Sequence, residues 1–331
     1  MDVLKVGPLT IRGRAVLAPM SGISDWPFRR LAARFGAPLV VSEMVAAGRL
    51  VAREAEARLK LEGAGLDVHA VQLAGCREED LAEAARIVEA AGADLVDINM
   101  GCPAKKVVGG YAGSALMRDL DHAARLIRAT VAAVKIPVSV KMRLGYDQTL
   151  LNAPELARRA EAEGAALVTV HGRTRCQRYK GKADWRAIAA VKQAVSIPVI
   201  ANGDCGGIAD ARAMLAASGA DAVMIGRANV GRPWLPAVVS AALAGAPQPR
   251  IPQTVREKAA LALEHLDWLV ESAGPRLGVR LARKHSAAYL DGLAVPVALR
   301  SAALTLDEPA AARRALAAAF GAAEPALKVA A

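Results

Sequence analysis

Short apolar runs rich in β-branched residues recur through about the first 230 residues, and a stretch with helical periodicity follows each of them. Residues 79–91 and 184–195, for example, have the pattern of amphipathic helices. Alternating strands and helices predict a parallel sheet, and eight such units predict an α/β fold of the (β/α)8 TIM-barrel type. A doubly wound open sheet is the alternative, but its glycine fingerprint after the first strand is missing. The predicted strands cover residues 15–18, 39–41, 68–73, 95–98, 137–142, 167–170, 198–201 and 222–225.

The pattern changes after Trp234, where no further strand-like run occurs. Residues 246–253 contain three prolines and predict a linker. The chain beyond them has helical periodicity at about 254–273, 276–292, 296–305 and 309–320. We therefore predict a barrel domain at residues 1–245, a linker at 246–253, and a small C-terminal helical-bundle domain at 254–331.

Composition narrows the class of protein. Apolar residues make up 54% of the 331-residue chain, which is enough for a substantial core. The apolar runs end well before about 18 residues, and the amino terminus lacks a signal-peptide pattern, so we expect a cytoplasmic protein with no membrane span. Four widely spaced cysteines, without a Cys-x-x-Cys pair, indicate neither a disulfide framework nor a zinc site. We expect a monomer without a bound metal.

The chain is basic, with 43 Lys and Arg residues against 32 Asp and Glu residues and a net charge of +11. A polyanionic partner would account for this excess. A proteome rich in arginine would account for it equally well. Charge alone therefore does not choose between the two explanations.

Polar or otherwise distinctive residues stand at the carboxyl end of every predicted strand. The carboxyl ends of barrel strands form one rim, and barrel enzymes place their chemistry there. A distinctive residue at each strand end therefore favours a ligand site over eight separate structural roles. In strand order these residues are Pro19-Met20, Glu43, Gln72, Asn99 with Cys102, Lys141 with Arg143, His171, Asn202-Gly203-Asp204 and Gly226-Arg227.

The segment 97–106, Asp-Ile-Asn-Met-Gly-Cys-Pro-Ala-Lys-Lys, places a single thiol between glycine and proline at the end of the fourth strand. A sharp turn there would direct Cys102 into a cleft, where it could be an acid, a nucleophile or a metal ligand. Its alternative role is that of a small buried hydrophobic residue. Because a cysteine thiol is mostly protonated at neutral pH, Cys102 can donate a proton to a carbon atom.

The other rim residues suit a flavin mononucleotide. The loops after strands seven and eight commonly bind phosphate through backbone N–H groups, and Arg227 adds a charge-assisted contact. A Lys141 side chain facing the barrel mouth needs an anion or an acceptor-rich ring. Gln72 offers both a donor and an acceptor to the edge of a flavin or pyrimidine. His171 alone could be a core histidine, but Arg173 and Arg175 directly after it favour an anionic ligand.

With these strand-end residues and the segment 97–106, the sequence resembles the bacterial tRNA-dihydrouridine synthases, and most of all their B-type branch. The resemblance covers the whole barrel and extends more weakly into the helical domain. It departs from the family pattern at residues 286–289, Ser-Ala-Ala-Tyr, where an aromatic residue more often stands beside the tyrosine, and at Cys205, which replaces an aliphatic residue. The matching segments are residues 17–22, 97–106, 109–114, 140–143, 171–177, 179–181, 201–204 and 226–227.

The resemblance implies an FMN enzyme that reduces the 5,6 double bond of D-loop uridines in tRNA, with position 17 favoured, using NADPH or, as the alternative, NADH. It implies that Cys102 is the general acid that protonates C5 while hydride reaches C6. It also implies two groups of FMN-binding residues. Those around the isoalloxazine and ribityl portion are Ala18, Pro19, Met20, Gln72, Lys141 and His171, and those around the phosphate are Asn202, Gly203, Asp204, Gly226 and Arg227.

The resemblance also implies tRNA contacts on both domains. Asn99 would contact the flipped base, because a base must leave its stack to reach a flavin in a barrel. On the helical domain, Arg280, Arg283 and Lys284 share one helix face and would bind RNA, although a solvated face is the alternative. The expected phosphate contacts near the pocket are Lys105, Lys106, Arg143, Arg173 and Arg175.

Two other functions fit parts of the sequence. An FMN barrel that reduces a free pyrimidine, such as a dihydroorotate or dihydropyrimidine dehydrogenase, would use the same flavin and a similar cysteine, but it would not need a basic helical domain. A non-catalytic RNA-binding barrel protein would not need Cys102 and Lys141. Both features therefore favour the tRNA-uridine reductase.

Overall fold

Eight parallel strands close into a barrel in the computed structural model, which describes residues 3–327 except for the side chains of Lys106 and residues 324–327. The predicted (β/α)8 fold is therefore confirmed. In chain order the strands are β1 Val3–Val6, β2 Leu9–Arg12, β3 Ala15–Leu17, β4 Val40–Val41, β5 Val45–Ala46, β6 His69–Ala74, β7 Leu95–Met100, β8 Val138–Arg143, β9 Leu167–His171, β10 Val199–Asn202 and β11 Ala222–Ile225. The barrel strands and one short addition, β5, form a nine-stranded sheet that closes through the pairing of β4 with β6.

Helices follow the barrel strands and cover their outer faces, where aliphatic side chains of both layers form the main core. The helices are α1 Trp26–Arg34, α2 Ala47–Val51, α3 Ala55–Leu59, α4 Glu78–Ala90, α5 Lys105–Val108, α6 Leu120–Ala133, α7 Ala153–Ala162, α8 Ala189–Ala194, α9 Ile208–Ser218, α10 Leu235–Ala244, α11 Val255–Ala273, α12 Pro275–Tyr289, α13 Val297–Thr305 and α14 Pro309–Leu327. The predicted helix over residues 184–195 is divided into a 3₁₀ turn at Arg186–Ile188 and α8, and the Trp185 indole directly before the turn donates to the Gly203 carbonyl.

An antiparallel hairpin of β1 and β2 precedes the barrel, and the sequence pattern did not predict it. Its buried side chains Leu4, Val6 and Ile11 pack in one cluster with residues at the starts of barrel strands, such as Leu95 and Leu167. The hairpin therefore covers the amino-terminal end of the barrel, opposite the predicted rim. Its signals are present in the sequence as a short alternating pattern and a glycine turn, but two four-residue strands are easily overlooked.

Helices α11 to α14 form a second apolar core with α1 and α10 of the barrel. Helix α11 begins where the sequence predicts it, because Thr254 and Glu257 form a capping box that satisfies the first free N–H groups. Within residues 3–327, the structure contains no helix with the length and apolar character of a membrane span.

A buried polar cluster joins α11 and α12 to the barrel. Asp25 caps α1 by accepting a hydrogen bond from the Phe28 backbone N–H at 2.9 Å. The Nε2 atoms of His285 and His265 lie 3.2 Å and 3.9 Å from its two carboxylate oxygens, and the Tyr289 hydroxyl lies 3.1 Å from Nδ1 of His265. Burial alone would raise the pKa of Asp25, but the two imidazoles outweigh it and lower that pKa.

Candidate functional site

A cavity of about 1120 Å³ lies at the carboxyl ends of the barrel strands. Small-molecule pockets usually measure about 300–1,000 Å³, so this one has room for a cofactor and a second ligand. Its lining carries six basic side chains and a single acidic one, Asp204, which favours an anionic occupant. The predicted site residues in the lining are Ala18, Pro19, Met20, Gln72, Asn99, Cys102, Lys105, Lys141, Arg143, His171, Arg173, Asn202, Gly203, Asp204, Gly226 and Arg227.

Strand register brings the polar side chains of the barrel interior together. Gln72 pairs with Asp97, and Asn99 pairs with Lys141, on neighbouring strands. The Gln72 amide donates to Asp97 at 2.6 Å and accepts from the Asn99 amide at 2.7 Å. The Ser139 hydroxyl donates to the other Asp97 oxygen at 2.6 Å. Burial raises the pKa of Asp97 to about 6 against these hydrogen bonds and the charge of Lys141.

The loop that carries Cys102 is held from several sides. Asn99 Oδ1 accepts hydrogen bonds from the backbone N–H groups of Gly101 and Cys102, at 3.1 and 2.9 Å. The Arg143 guanidinium donates to the Gly101 carbonyl at 2.7 Å, and the Ser114 hydroxyl donates to the Cys102 carbonyl at 2.8 Å. These bonds fix the backbone on both sides of a half-buried thiol that lines the cavity.

Lys141 and His171 are the inward-facing residues that burial affects most. Lys141 Nζ donates to Asn202 Oδ1 at 3.1 Å. Burial and then Arg143 lower the pKa of Lys141 to about 8. Burial, together with Lys141 and three nearby guanidinium groups, lowers the pKa of His171 far below its ordinary value, so this imidazole is neutral. Because Arg173 can only donate, its contact of 3.3 Å makes His171 Nε2 the acceptor and leaves the proton on Nδ1.

The loops after β10 and β11 form the opposite side of the cavity. A Cβ atom added to Gly226 would meet only Ala18 and Met20, both at 3.9 Å, so the backbone there is open to a ligand. The loop after β10 leads directly into α9, whose first N–H groups are a favourable position for an anion. Asp204 lies between Arg173, at 2.6 Å, and Arg227, at 3.4 Å. Arg227 is largely exposed and therefore has donors to spare.

Two of the residues that we expected to contact RNA phosphate are buried. Arg143 and Arg173 are each only 2% exposed. Arg143 also donates to the carbonyls of Thr174 and Arg178, and Arg173 donates to the carbonyls at 180 and 181 as well as to Asp204. Both guanidinium groups line the cavity, but carbonyls and a carboxylate already occupy most of their donors, so this geometry favours a role in shaping the rim. Their contact with RNA phosphate stays a prediction.

Three other residues that we expected to contact RNA lie in different places. Arg175 is half-buried outside the cavity, 5.1 Å from the Tyr146 ring centre, and Lys106 has a side chain outside the described part of the chain. Arg283 is used within the helical region, where it donates to Asp307 at 2.7 Å and to the Thr305 carbonyl at 2.8 Å.

Arg280 and Lys284 are the exposed members of the predicted basic face of α12. Lys284 reaches the barrel rim: a Cβ atom added to Gly22 would lie 2.7 Å from Lys284 Nζ. Gly22 belongs to the loop that contributes Met20, Ser21 and Ile23 to the cavity wall. A lysine of the helical region therefore stands beside the mouth of the cavity.

Sequence reasoning missed three features of the site. It gave no role to Asp97 and Ser139, although alternation along the strands places Asp97 on the same face as Asn99. It also gave no role to Tyr179, which is 56% exposed at the mouth, with the Arg143 and Arg227 guanidinium groups 5.6 and 5.3 Å from its ring centre.

Comparisons with known proteins agree on one family. The family model described as Dihydrouridine synthase (Dus) matches residues 16–324. The chain is 56% identical over 291 residues to a probable tRNA-dihydrouridine synthase of Rhizobium leguminosarum bv. phaseoli, covering 88% of this chain and 89% of that protein. It is 45% identical over 292 residues to tRNA-dihydrouridine synthase B of Pseudomonas aeruginosa, covering 88% and 87%.

Solved structures with low sequence identity share the barrel fold. Histamine dehydrogenase from Rhizobium sp. 4-9 superposes with a TM-score of 0.53 at 14% identity, over 80% of this chain and 50% of that chain. A variant of NCR from Zymomonas mobilis superposes with a TM-score of 0.53 at 19% identity, over 75% and 92%. These likenesses concern the fold alone.

Proposed function

This chain belongs to the dihydrouridine synthase family, and we propose that it is a tRNA-dihydrouridine synthase that uses FMN and NADPH to reduce the C5=C6 bond of a uridine in tRNA. The observation that carries the proposal is a half-buried thiol on a braced loop, facing a basic cavity large enough for a cofactor and a base. The family membership supports the choice of reaction.

The residues present fit FMN. Gly226 leaves open backbone, α9 begins beside the cavity, and the exposed Arg227 supplies a cation for the phosphate. On the other side of the cavity Lys141 supplies N–H donors for an acceptor-rich ring, and Gln72 lies in the wall beside it. When bound, FMN would supply the hydride that reaches C6 of the uracil.

Cys102 would supply the proton. The Sγ–H group donates to C5 of the uracil, which leaves a thiolate on the loop. Lys141 and Arg143 both interact electrostatically with Cys102, so they place positive charge beside the sulfur. The backbone hydrogen bonds to Asn99 and Ser114 hold the thiol in position, which reduces the entropy cost of reaching the reactive geometry.

RNA binding would involve both parts of the chain. Lys284 beside Gly22, with Arg280 one turn earlier on α12, extends the positive cavity mouth onto the helical region. Lys105 and the exposed Tyr179 lie at the mouth itself, where they would contact phosphate and stack on a base. Arg143 and Arg173 would brace the rim.

Cys102→Ala tests the assigned reaction. The purified wild-type protein should show flavin absorbance and form dihydrouridine in tRNA from a strain that lacks this gene, as measured by nucleoside mass spectrometry. The variant should keep the flavin and tRNA affinity but lose at least about 100-fold in turnover, the usual contribution of a positioned acid.

Cys176→Ala is the matched control, because this thiol is exposed and does not line the cavity. Normal turnover in Cys102→Ala would remove Cys102 from the mechanism. A flavin-free wild-type protein, or one that reduces free uracil but not tRNA, would contradict the proposed function itself.

A further inference from the structure

We propose that Asp97 is a positioning residue that fixes, from one end, the polarity of a buried hydrogen-bond chain, Ser139–Asp97–Gln72–Asn99, so that the Asn99 amide presents an N–H donor to the cavity and selects a ring carbonyl. The choice of uracil over cytosine that follows from this polarity rests on the proposed function. The polarity itself does not, because it follows from the protein's own contacts.

The Asp97 end of the hydrogen-bond chain can only accept hydrogen bonds. The ionised Asp97 carboxylate has no hydrogen to donate, so the Gln72 group that lies 2.6 Å away must be the NH₂ group. The Ser139 hydroxyl can rotate, and it donates to the second oxygen. Gln72 is fully buried, so its carbonyl must then find a donor on the other side, and the Asn99 amide supplies it at 2.7 Å.

The backbone N–H groups at the Asn99 end can only donate hydrogen bonds. The backbone N–H groups of Gly101 and Cys102 point at one Asn99 atom, which must therefore be the carbonyl oxygen. This assignment again places the Asn99 NH₂ group against Gln72. The two ends thus impose the same direction on both amides independently, and reversing either amide would set like groups against each other inside the barrel.

The direction decides what the cavity can bind. The Asn99 NH₂ group uses one hydrogen within the chain, and its second hydrogen has no partner among the described residues. Asn99 lines the cavity and keeps some exposed surface, whereas Gln72 is fully buried. A ligand beside Asn99 must offer an acceptor, as the uracil C4 carbonyl does. The amino group of cytosine at the same position would oppose an N–H with another N–H, which a buried site rejects strongly.

Exchanging the carboxylate at position 97 with the amide at position 99 tests the direction of the hydrogen-bond chain. Asn99→Asp keeps an acceptor for the two backbone N–H groups but places an oxygen against Gln72, so with both carboxylates ionised the chain can be satisfied in neither direction. Adding Asp97→Asn reverses the whole chain. The new amide at position 97 accepts from Ser139 and donates to the Gln72 carbonyl, and the Gln72 NH₂ group donates to the new carboxylate at position 99.

The stability of the two variants reports the polarity. At pH 8 we expect Asn99→Asp to lower Tm by at least about 5 °C and the added Asp97→Asn to restore at least half of that loss. Thermal unfolding followed by circular dichroism measures both values. Additive Tm changes in this double-mutant cycle would overturn the polarity.

Asp97→Ala is the matched control, because it removes the same charge but cannot donate to a reversed Gln72. If relief of charge repulsion were the whole effect, Asp97→Ala would rescue Asn99→Asp as well as Asp97→Asn does, and the polarity would again be overturned. We expect Asp97→Ala to give no such rescue.

The turnover of the reversed double variant tests base selection separately from stability. The reversed double variant should bind FMN, seen by its absorbance, yet form dihydrouridine at least about 100-fold more slowly, because a carboxylate oxygen replaces the donor at position 99. Near wild-type turnover in a restored double variant would overturn the role in base selection. A wild-type protein inactive on tRNA would refute the proposed function while the Tm cycle still reports the polarity.

Discussion

Lys141 occupies a barrel interior in which its neighbours change its proton affinity. Burial and Arg143 lower its pKa to about 8, while Asp97 and Cys102 act in the opposite direction. The ammonium group therefore loses its proton within the range in which enzymes are usually assayed. Any ligand that depends on this charge inherits the same pH dependence.

We expect FMN affinity to fall as pH rises through about 8, by at most about tenfold per pH unit, because the ligand binds the protonated Lys141 more tightly. Fluorescence titration of the apoprotein between pH 6.5 and 9.5 measures this. Lys141→Arg keeps its charge throughout and should show a flat profile in the same range. A parallel decline in both proteins would assign the pH dependence to another group.

Individual site residues could be predicted from the sequence where a chemically distinctive side chain stands at the carboxyl end of a predicted strand. Cys102 and Lys141 follow that rule, and the structure places both in the cavity lining. Asp97 did not attract notice, because its significance depends on Ser139 of the next strand, 42 positions away. The burial of Arg143 and Arg173 could not be predicted, because sequence shows the charge of a guanidinium group but not the carbonyls that surround it.

At the scale of elements, the barrel strands were predictable because parallel strands are buried on both faces and appear as continuous apolar runs. The 3₁₀ turn at Gly113–Arg118 was not, although it supports the Cys102 loop: Ser114 donates to the Cys102 carbonyl through both its N–H and its hydroxyl group. Short turns of this kind lack a periodic pattern.

Gly113→Ala should displace the Cys102 loop. The added Cβ would lie 2.8 Å from the Cys102 carbonyl oxygen, and the residue has φ of +61°. Gly219→Ala is the control, because it has φ of +64° but no atom within 4 Å of the added Cβ. Both should cost about 1 kcal/mol of stability for the left-handed backbone, whereas only Gly113→Ala should reduce turnover with flavin retained. Equal turnover in the two variants would contradict this role.

At the scale of the whole molecule, a buried cluster and an exposed ion pair both join the barrel to the helical region, and they should differ in strength. The Asp25 cluster with His265 and His285 is buried. The Arg34–Glu264 pair is bidentate at 2.7 Å but substantially exposed. The histidines and Asp25 lie about 240 or more positions apart in sequence, so no local pattern could reveal their cluster.

Asp25→Ala should lower the free energy of unfolding by about 2–4 kcal/mol, because it removes a helix cap and leaves buried imidazoles without their acceptor. Asp25→Asn keeps the cap and should cost less. Arg34→Ala should cost at most about 1 kcal/mol, as exposed ion pairs do. Urea unfolding gives all three values, and equal losses for Asp25→Ala and Arg34→Ala would show that the cluster adds nothing beyond a surface pair.

Reversing the charges of Arg280 and Lys284 to glutamate should weaken tRNA binding and reduce its dependence on salt, because fewer counterions are released on binding. Arg314→Glu on α14, also an exposed residue of the helical region, serves as a comparison. Filter binding at several salt concentrations measures both. Unchanged affinity and slope in the double variant would exclude α12 from the RNA interface.

The hairpin packs against the amino-terminal end of the barrel, and the cavity lies at the opposite, carboxyl-terminal rim. Under the proposed function, a nicotinamide donor and a tRNA base would both approach the flavin from that rim and would have to use it in turn, each departing before the other arrives. The enzyme would then follow ping-pong kinetics, reduced in one encounter and reoxidised in the next. Its overall rate would depend on how quickly each substrate leaves, and an excess of either one would inhibit the binding of the other.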